Sequence, residues 1–480
     1  MRLLFLPIAL LFSCFAFAQD YLGYAHSNYA GIVGASYNPA SLADNLYSKD
    51  ILLCGAGAEI GNNYVGIKRS SLTKNFGPED MRLRTRDTKK AAFVRNEILL
   101  PGYMQSNGKM GWGIDLKVRT YANVEGLSED LAHIFVFELD DPTHFEHTLY
   151  NRHVGVTAMS WMEIGGTYAK TIWTGAEHYV SVGVRPKLCF GMGALYAFVN
   201  DAGYNFRNDS TLSIARADAD FGISDNFKFN TSMQPSWSMG FNPGLGIDGG
   251  IIYEFRPDEM QKDEKEKKKE KDWPGFRDRP VYKYRIGISL TDLGFVYFHH
   301  GEFSDHYAIE TNLWDYDNDV WNPTSPAPLS SLFDQRSGGS KEGKPMFMRL
   351  PLAMHLQYDY FVGKFFYINA TAFEGIYLRN NDGKKVHELT RFSVTARWDK
   401  RWYGFWMPVS FSRFGNLNVG GGFRVGPLIL GTTNLFWLLP DKNNYTADIY
   451  FVIKIPLFPT GTRTKKRKIN TDGKVDECPK

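Results

Sequence analysis

Arg185, Lys187, Arg349, His355, Arg391 and Arg397 share a polar face in stretches of this 480-residue chain where polar and apolar residues alternate. Such a set can receive an anionic headgroup, or it can pair internally with Asp115, Asp248 and Asp359. Internal pairing is the first expectation, because a sheet that closes into a barrel keeps a polar interior. Other chemistry is thin. The chain has no G-x-S-x-G nucleophile elbow and no G-x-x-x-x-G-K-[ST] loop, so no enzyme is expected. Asp315-Tyr316-Asp317-Asn318-Asp319 begins like a calcium loop. However, Val320 stands where the sixth-position glycine is needed, and Pro326 where the bidentate glutamate is needed. His299, His300 and His306 lack helical spacing and read as surface residues. Cys54, Cys189 and Cys478 have no C-x-x-C spacing, which removes zinc and thioredoxin-like readings. No metal and no cofactor is expected.

The elements that position these residues are strands. Trp112, Ile114, Leu116 and Val118 alternate with Asp115, Lys117 and Arg119. Val180, Val182, Val184, Leu188 and Phe190 alternate with Ser181, Arg185 and Lys187. The same period runs through Leu350–Asp359, Arg391–Trp398 and Ile449–Leu457. Period 2 marks a sheet whose faces meet different media. Several runs reach about ten residues, the length that crosses a bilayer at a tilt. Aromatics crowd their ends, as in Trp398, Trp402 and Tyr403, where amphipathic rings suit the headgroup level. Backbone groups in lipid must all be paired, so exported strands in a membrane must close into a barrel.

Turn lengths supply a topology. Ser106-Asn107-Gly108-Lys109 predicts a type I′ hairpin. Other short links are 174–177, 362–364, 399–401 and 425–427, and long links lie between them at 122–152, 200–242 and 298–345. Barrels of the outer membrane place short turns in the periplasm and long loops outside. The alternation predicts about fourteen strands, the first near Ile51–Ile67 and the last at Ala447–Phe458.

Composition agrees. Glycine is abundant at 46 residues, and the aromatic content of 15% argues against wholesale disorder. A net charge of +3 excludes bulk nucleic-acid binding. Beyond the first 20 residues no apolar run is long enough for a membrane helix. Residues 1–18 read as a signal peptide: Arg2, an apolar stretch, and Ala16-Phe17-Ala18 before the cut. A charged insert at 257–280 contains the mixed-sign run 258–271, which has no apolar face to bury. The tail 459–480 carries the basic run 463–468. Either run would suit a periplasmic or secretion-system protein partner.

Tyr29-Ala30-Gly31-Ile32-Val33-Gly34-Ala35-Ser36-Tyr37-Asn38-Pro39-Ala40-Ser41-Leu42 resembles the N-terminal region of FadL-like outer-membrane barrels. That superfamily includes long-chain fatty-acid transporters and the PorV-type barrels of type IX secretion. Two further pieces are similar: Gly244–Tyr253 followed by Gly287–Gly294, and Gly422–Pro427 followed by Gly431–Asn434. The resemblance implies an all-β transmembrane antiparallel barrel over 50–458, with a hatch segment at 19–49 carrying Asn38, Pro39 and Ala40. It places the protein in the bacterial outer membrane, among its lipids. The implied function is to move or bind a hydrophobic or amphipathic small molecule. The alternative is an adaptor of a type IX-like secretion system.

Overall fold

Fourteen antiparallel strands form a closed ring in the computed structural model. It describes residues 21–70, 80–85, 87, 89–137, 147–208, 211–229, 235–237, 240–260, 282–315, 345–376, 384–439 and 443–458. Among them the ring runs β1 (Lys49–Asn62), β2 (Lys90–Leu99, resuming at Gly102–Ser106), β3 (Met110–Leu127), β4 (Thr148–Thr174) and β5 (His178–Phe206). It continues with β6 (Pro243–Phe255), β7 (Tyr284–Phe298), β8 (Met346–Arg349, resuming at Ala353–Gly363), β9 (Phe366–Gly375) and β10 (Arg391–Asp399). The last four are β11 (Tyr403–Ser412), β12 (Leu417–Val419 with Gly421–Val425), β13 (Leu428–Thr432) and β14 (Thr446–Leu457). Strands adjacent in the chain pair with one another, and β14 returns to β1 with Ile455 opposite Ile51. Closure leaves the ring no free edge.

The alternation is inverted relative to a soluble sandwich. Trp112, Ile114, Phe392, Val394 and Ile455 are exposed, whereas Asp115, Lys117, Arg391, Arg397 and Lys454 are buried. An apolar exterior around a charged interior is stable only where the outer medium is lipid. This is a transmembrane β-barrel. A row of rings edges the rim that carries the short turns. Within it His178 stacks on Tyr253 at 6.0 Å, Phe255 on Tyr284 at 5.2 Å, and Tyr284 on Tyr358 at 6.3 Å.

Three expectations are corrected. The Asn107-Gly108 turn is not type I′, since only Gly108 has positive φ, at 82°. Asn107 instead accepts from the backbone of Lys109 and Met110 through its side chain, an Asx turn. The long links 122–152, 200–242 and 298–345 are not wholly loop. β3 and β5 run into the first two, a helix spans Glu129–Phe137, and strands Thr211–Ser224 and His300–Asp315 extend the sheet beyond the membrane. Bulges between Val199 and Asp201 and between Gly203 and Tyr204 shift the parity there, so a period-2 reading fails. Finally, the run from Leu350 is broken. Leu350-Pro351-Leu352 separates the two parts of β8, because proline has no N–H for the ladder.

Residues 1–18, the insert beyond residue 260, the calcium-like run from residue 316, and the tail 459–480 lie outside the described residues. No helix among the described residues is long and apolar enough to cross a membrane.

Candidate functional site

Residues 21–48 lie within the ring, against its inward side chains. On the β1–β14 seam, Lys454 Nζ donates to the carbonyls of Tyr29 and Ala30 at 3.0 Å each and to Asp50 at 2.8 Å. Asp50 accepts in turn from the Ile32 amide at 3.2 Å, and Tyr450 donates to the Leu22 carbonyl at 3.0 Å. His26 is wedged against Tyr37 and Phe373, and burial pushes its imidazole down to about 3. It therefore stays neutral in ordinary buffers.

The Asn38-Pro39-Ala40 motif meets the opposite wall. Pro39 opens a short 3₁₀ turn, Pro39–Leu42, and the Asn38 side chain caps it by accepting from the Ala40 amide at 3.1 Å. The Asn38 amide donates to the Ile251 carbonyl at 3.3 Å. The backbones meet because Gly183 and Gly250, paired across β5 and β6, present no side chain. A Cβ on Gly250 would lie 2.2 Å from Asn38 Oδ1, and one on Gly183 would lie 2.4 Å from Ala40 N. Replacing Asn38 by alanine removes the cap and the bond to the wall. It is expected to loosen residues 38–42 by about 1–2 kcal/mol, read as faster amide exchange confined to that turn.

Arg185, Lys187, His355, Arg391 and Arg397 are each held in place by structural partners. Arg185 Nη2 donates to Asp115 at 2.6 Å and to Glu163 at 3.0 Å, and its Nη1 donates to Asp248 at 2.9 Å. Lys187 pairs with Asp248 at 2.6 Å and with Asp292. Asp292 also receives Arg119 at 2.8 Å. Lys117–Glu97 and Arg95–Glu388 pairs extend the buried charges across β2 and β3. Arg391 pairs with Glu59, while Arg397 holds Asp359 at 2.8 Å and Asp399 at 2.7 Å. His355 Nε2 meets Thr291 Oγ1 at 2.8 Å, with the Phe373 ring 4.4 Å away. The expected pairing with Asp115, Asp248 and Asp359 is thus present.

Sequence reading did not single out Glu59, Glu97, Glu163, Asp292 or Glu388. The first three stand at inward parity on their strands, which was a usable signal. Asp292 sits in a left-handed kink at φ 63° that breaks parity. Glu388 comes from the segment between β9 and β10, which has no periodicity.

Arg349 is placed differently. Where β8 breaks, the ladder between β7 and β8 skips from Thr291–Ala353 to Phe295–Arg349. A cavity of about 600 Å³ occupies this gap. Its outer part is lined by Leu245, Ile247, Leu293, Phe295 and Phe347, all exposed on the lipid-facing wall. Arg349, Lys385 and His387 line the cavity as well, with the buried Val386 between the latter two. Arg349 shares the parity of exposed Phe347 and stands opposite exposed Phe295, so it lies on the lipid-facing side of its strand and not in the lumen where the sequence pattern puts it; the break at Pro351 reverses the parity. Size and lining are those of a small-molecule site: apolar walls with a few polar groups among them. Among the described residues no cluster of His, Cys, Asp or Glu could hold a metal ion.

A family model described as a family of unknown function (DUF5723) matches residues 39–433. The chain belongs to that family. The matched region opens at Pro39, in the turn that docks on the glycine wall, and takes in the whole cavity. No curated protein matches the chain. Among solved structures, it is similar to the toluene transporter TbuX of Ralstonia pickettii, with 7% identity and a TM-score of 0.41 over 93% of this chain and 100% of that one. A FadL homologue of Pseudomonas aeruginosa is similar at 11% identity and a TM-score of 0.38, over 88% of this chain and 92% of that one. The toluene transporter TodX of Pseudomonas putida is similar at 7% identity and a TM-score of 0.37, over 92% and 97% respectively.

Proposed function

We propose that this protein is an outer-membrane barrel, exported by residues 1–18, that binds a hydrophobic or amphipathic small molecule and passes it through the membrane. The observation that carries this reading is the cavity at the β8 break. Its apolar lining is continuous with the lipid-facing wall, and Arg349 and Lys385 line it too. An apolar ligand gains about 25 cal/mol for each Å² it removes from water there, and a headgroup would find the cations. Residues 19–49 act as the hatch, with Asn38, Pro39 and Ala40 as the part seated in the wall. Arg185, Lys187, His355, Arg391 and Arg397 then shape the lumen, and Arg349 meets the ligand.

Replacing Leu352 by tryptophan fills part of the gap while leaving the lumen pairs intact. It is expected to weaken binding of a fluorescent fatty acid by about tenfold, which is about 1.4 kcal/mol. Replacing Arg349 by alanine should weaken the fatty acid more than an uncharged hydrocarbon. Equal binding by the native protein and Leu352→Trp would refute the cavity as the ligand site.

A further inference from the structure

The rim of short turns carries two neighbouring lysines, one held by aromatic rings where a carboxylate would ordinarily do so and one exposed at a turn tip. The turns at 363–365 and 400–402 flank the β9–β10 pair, in which Phe366 lies opposite Trp398. The Lys400 ammonium stands 5.1 Å from the Phe365 ring centre and 4.9 Å from that of Trp398. Lys364 is exposed at the tip of its turn. Lys364 and Phe365 both have positive φ, 53° and 106°. Residues with a Cβ seldom adopt that conformation, and such strain gathers where a surface is used. Asp399, the acid next in the chain, is buried and bound to Arg397. Among the described residues neither lysine pairs with a carboxylate. Directly below, Phe366, Ile368, Phe405 and Met407 form an exposed apolar wall.

Two cations at headgroup level above an apolar strip match a phosphate diester carrying acyl chains. A neutral zwitterion would give back less, since its own ammonium opposes the pair. We propose that this sector of the rim binds an anionic phospholipid. Its phosphate lies between Lys364 and Lys400, and its chains run along Phe366, Ile368, Phe405 and Met407. The lipid is a docked partner, separate from the cavity at β8.

The test is native mass spectrometry of the full-length barrel in mild detergent, titrated with phosphatidylglycerol or with phosphatidylcholine. The native protein is expected to retain phosphatidylglycerol preferentially. The K364Q/K400Q variant should lose about 25-fold in retention, about fivefold for each ammonium near an anionic headgroup. K109Q, at the turn between β2 and β3, should retain the lipid as the native protein does. K364Q alone changes only an exposed tip, so the fivefold step remains readable even if the double variant folds poorly. Equal retention of the two lipids, no loss in K364Q, or full displacement by glycerol phosphate would each overturn the proposal. The last result would mean that the rim takes a phosphate and not a lipid.

Discussion

Arg185→Met is expected to destabilise the barrel by about 3–5 kcal/mol, the cost of leaving buried charges without their partner. Arg185 serves three carboxylates from three strands: Asp115 on β3, Glu163 on β4 and Asp248 on β6. Lys187 stands nearby but is already shared between Asp248 and Asp292. Methionine has similar length and no charge, so three carboxylates would remain with only neighbouring cations to draw on. Lysine would recover part of the loss, since a single ammonium cannot reproduce the planar fork that bridges the three acids. Urea unfolding of the refolded barrel measures the difference. An unchanged midpoint would mean that water reaches this cluster and solvates the acids. A loss of activity in Arg185 variants would therefore report on the wall of the lumen.

The second large effect concerns the glycine wall. Gly183→Val places a branched side chain where the backbone of Pro39 and Ala40 now lies, with even the first carbon only 2.4 Å from Ala40 N. Backbone cannot yield as a flexible side chain can, so the turn Pro39–Leu42 must leave the wall. The expected readout is labelling of a cysteine placed at Ser41. The labelling rate should rise about tenfold or more, the consequence of an overpacking cost of about 1–3 kcal/mol. Gly166 is the control, because a Cβ there meets nothing within 4 Å. Gly166→Val should leave labelling unchanged. If Gly183→Val behaves like that control, the turn is not held by the wall, and the hatch reading loses its anchor.

The motifs that resemble FadL-like barrels gain a physical meaning from this contact. Gly250 and Gly287 lie in the two halves of one similar piece, Gly244–Tyr253 followed by Gly287–Gly294, and both approach Asn38. Along the chain, Asn38 and that piece are separate signatures about two hundred residues apart. In space, Asn38 occupies the notch that the two glycines leave open. The motif and the glycine-rich strands are thus two sides of one joint.

What the sequence determined by itself was the barrel and, within unbroken strands, the side each residue faces. A pleated strand sends successive side chains to opposite faces, so the face follows from local order alone. Alternation with long strands and aromatic ends was enough to expect about fourteen strands and to place Arg185, Lys187, Arg391 and Arg397 inward. Tertiary structure decided which acid each cation meets. Arg391 finds Glu59 from a strand 332 residues earlier, and Arg95 finds Glu388 from a segment without any period. It also decided that Arg349 lines a cavity at the wall, where Pro351 interrupts one strand beside the kink at Asp292 in its neighbour. The register that sets them side by side is fixed only when the ring closes.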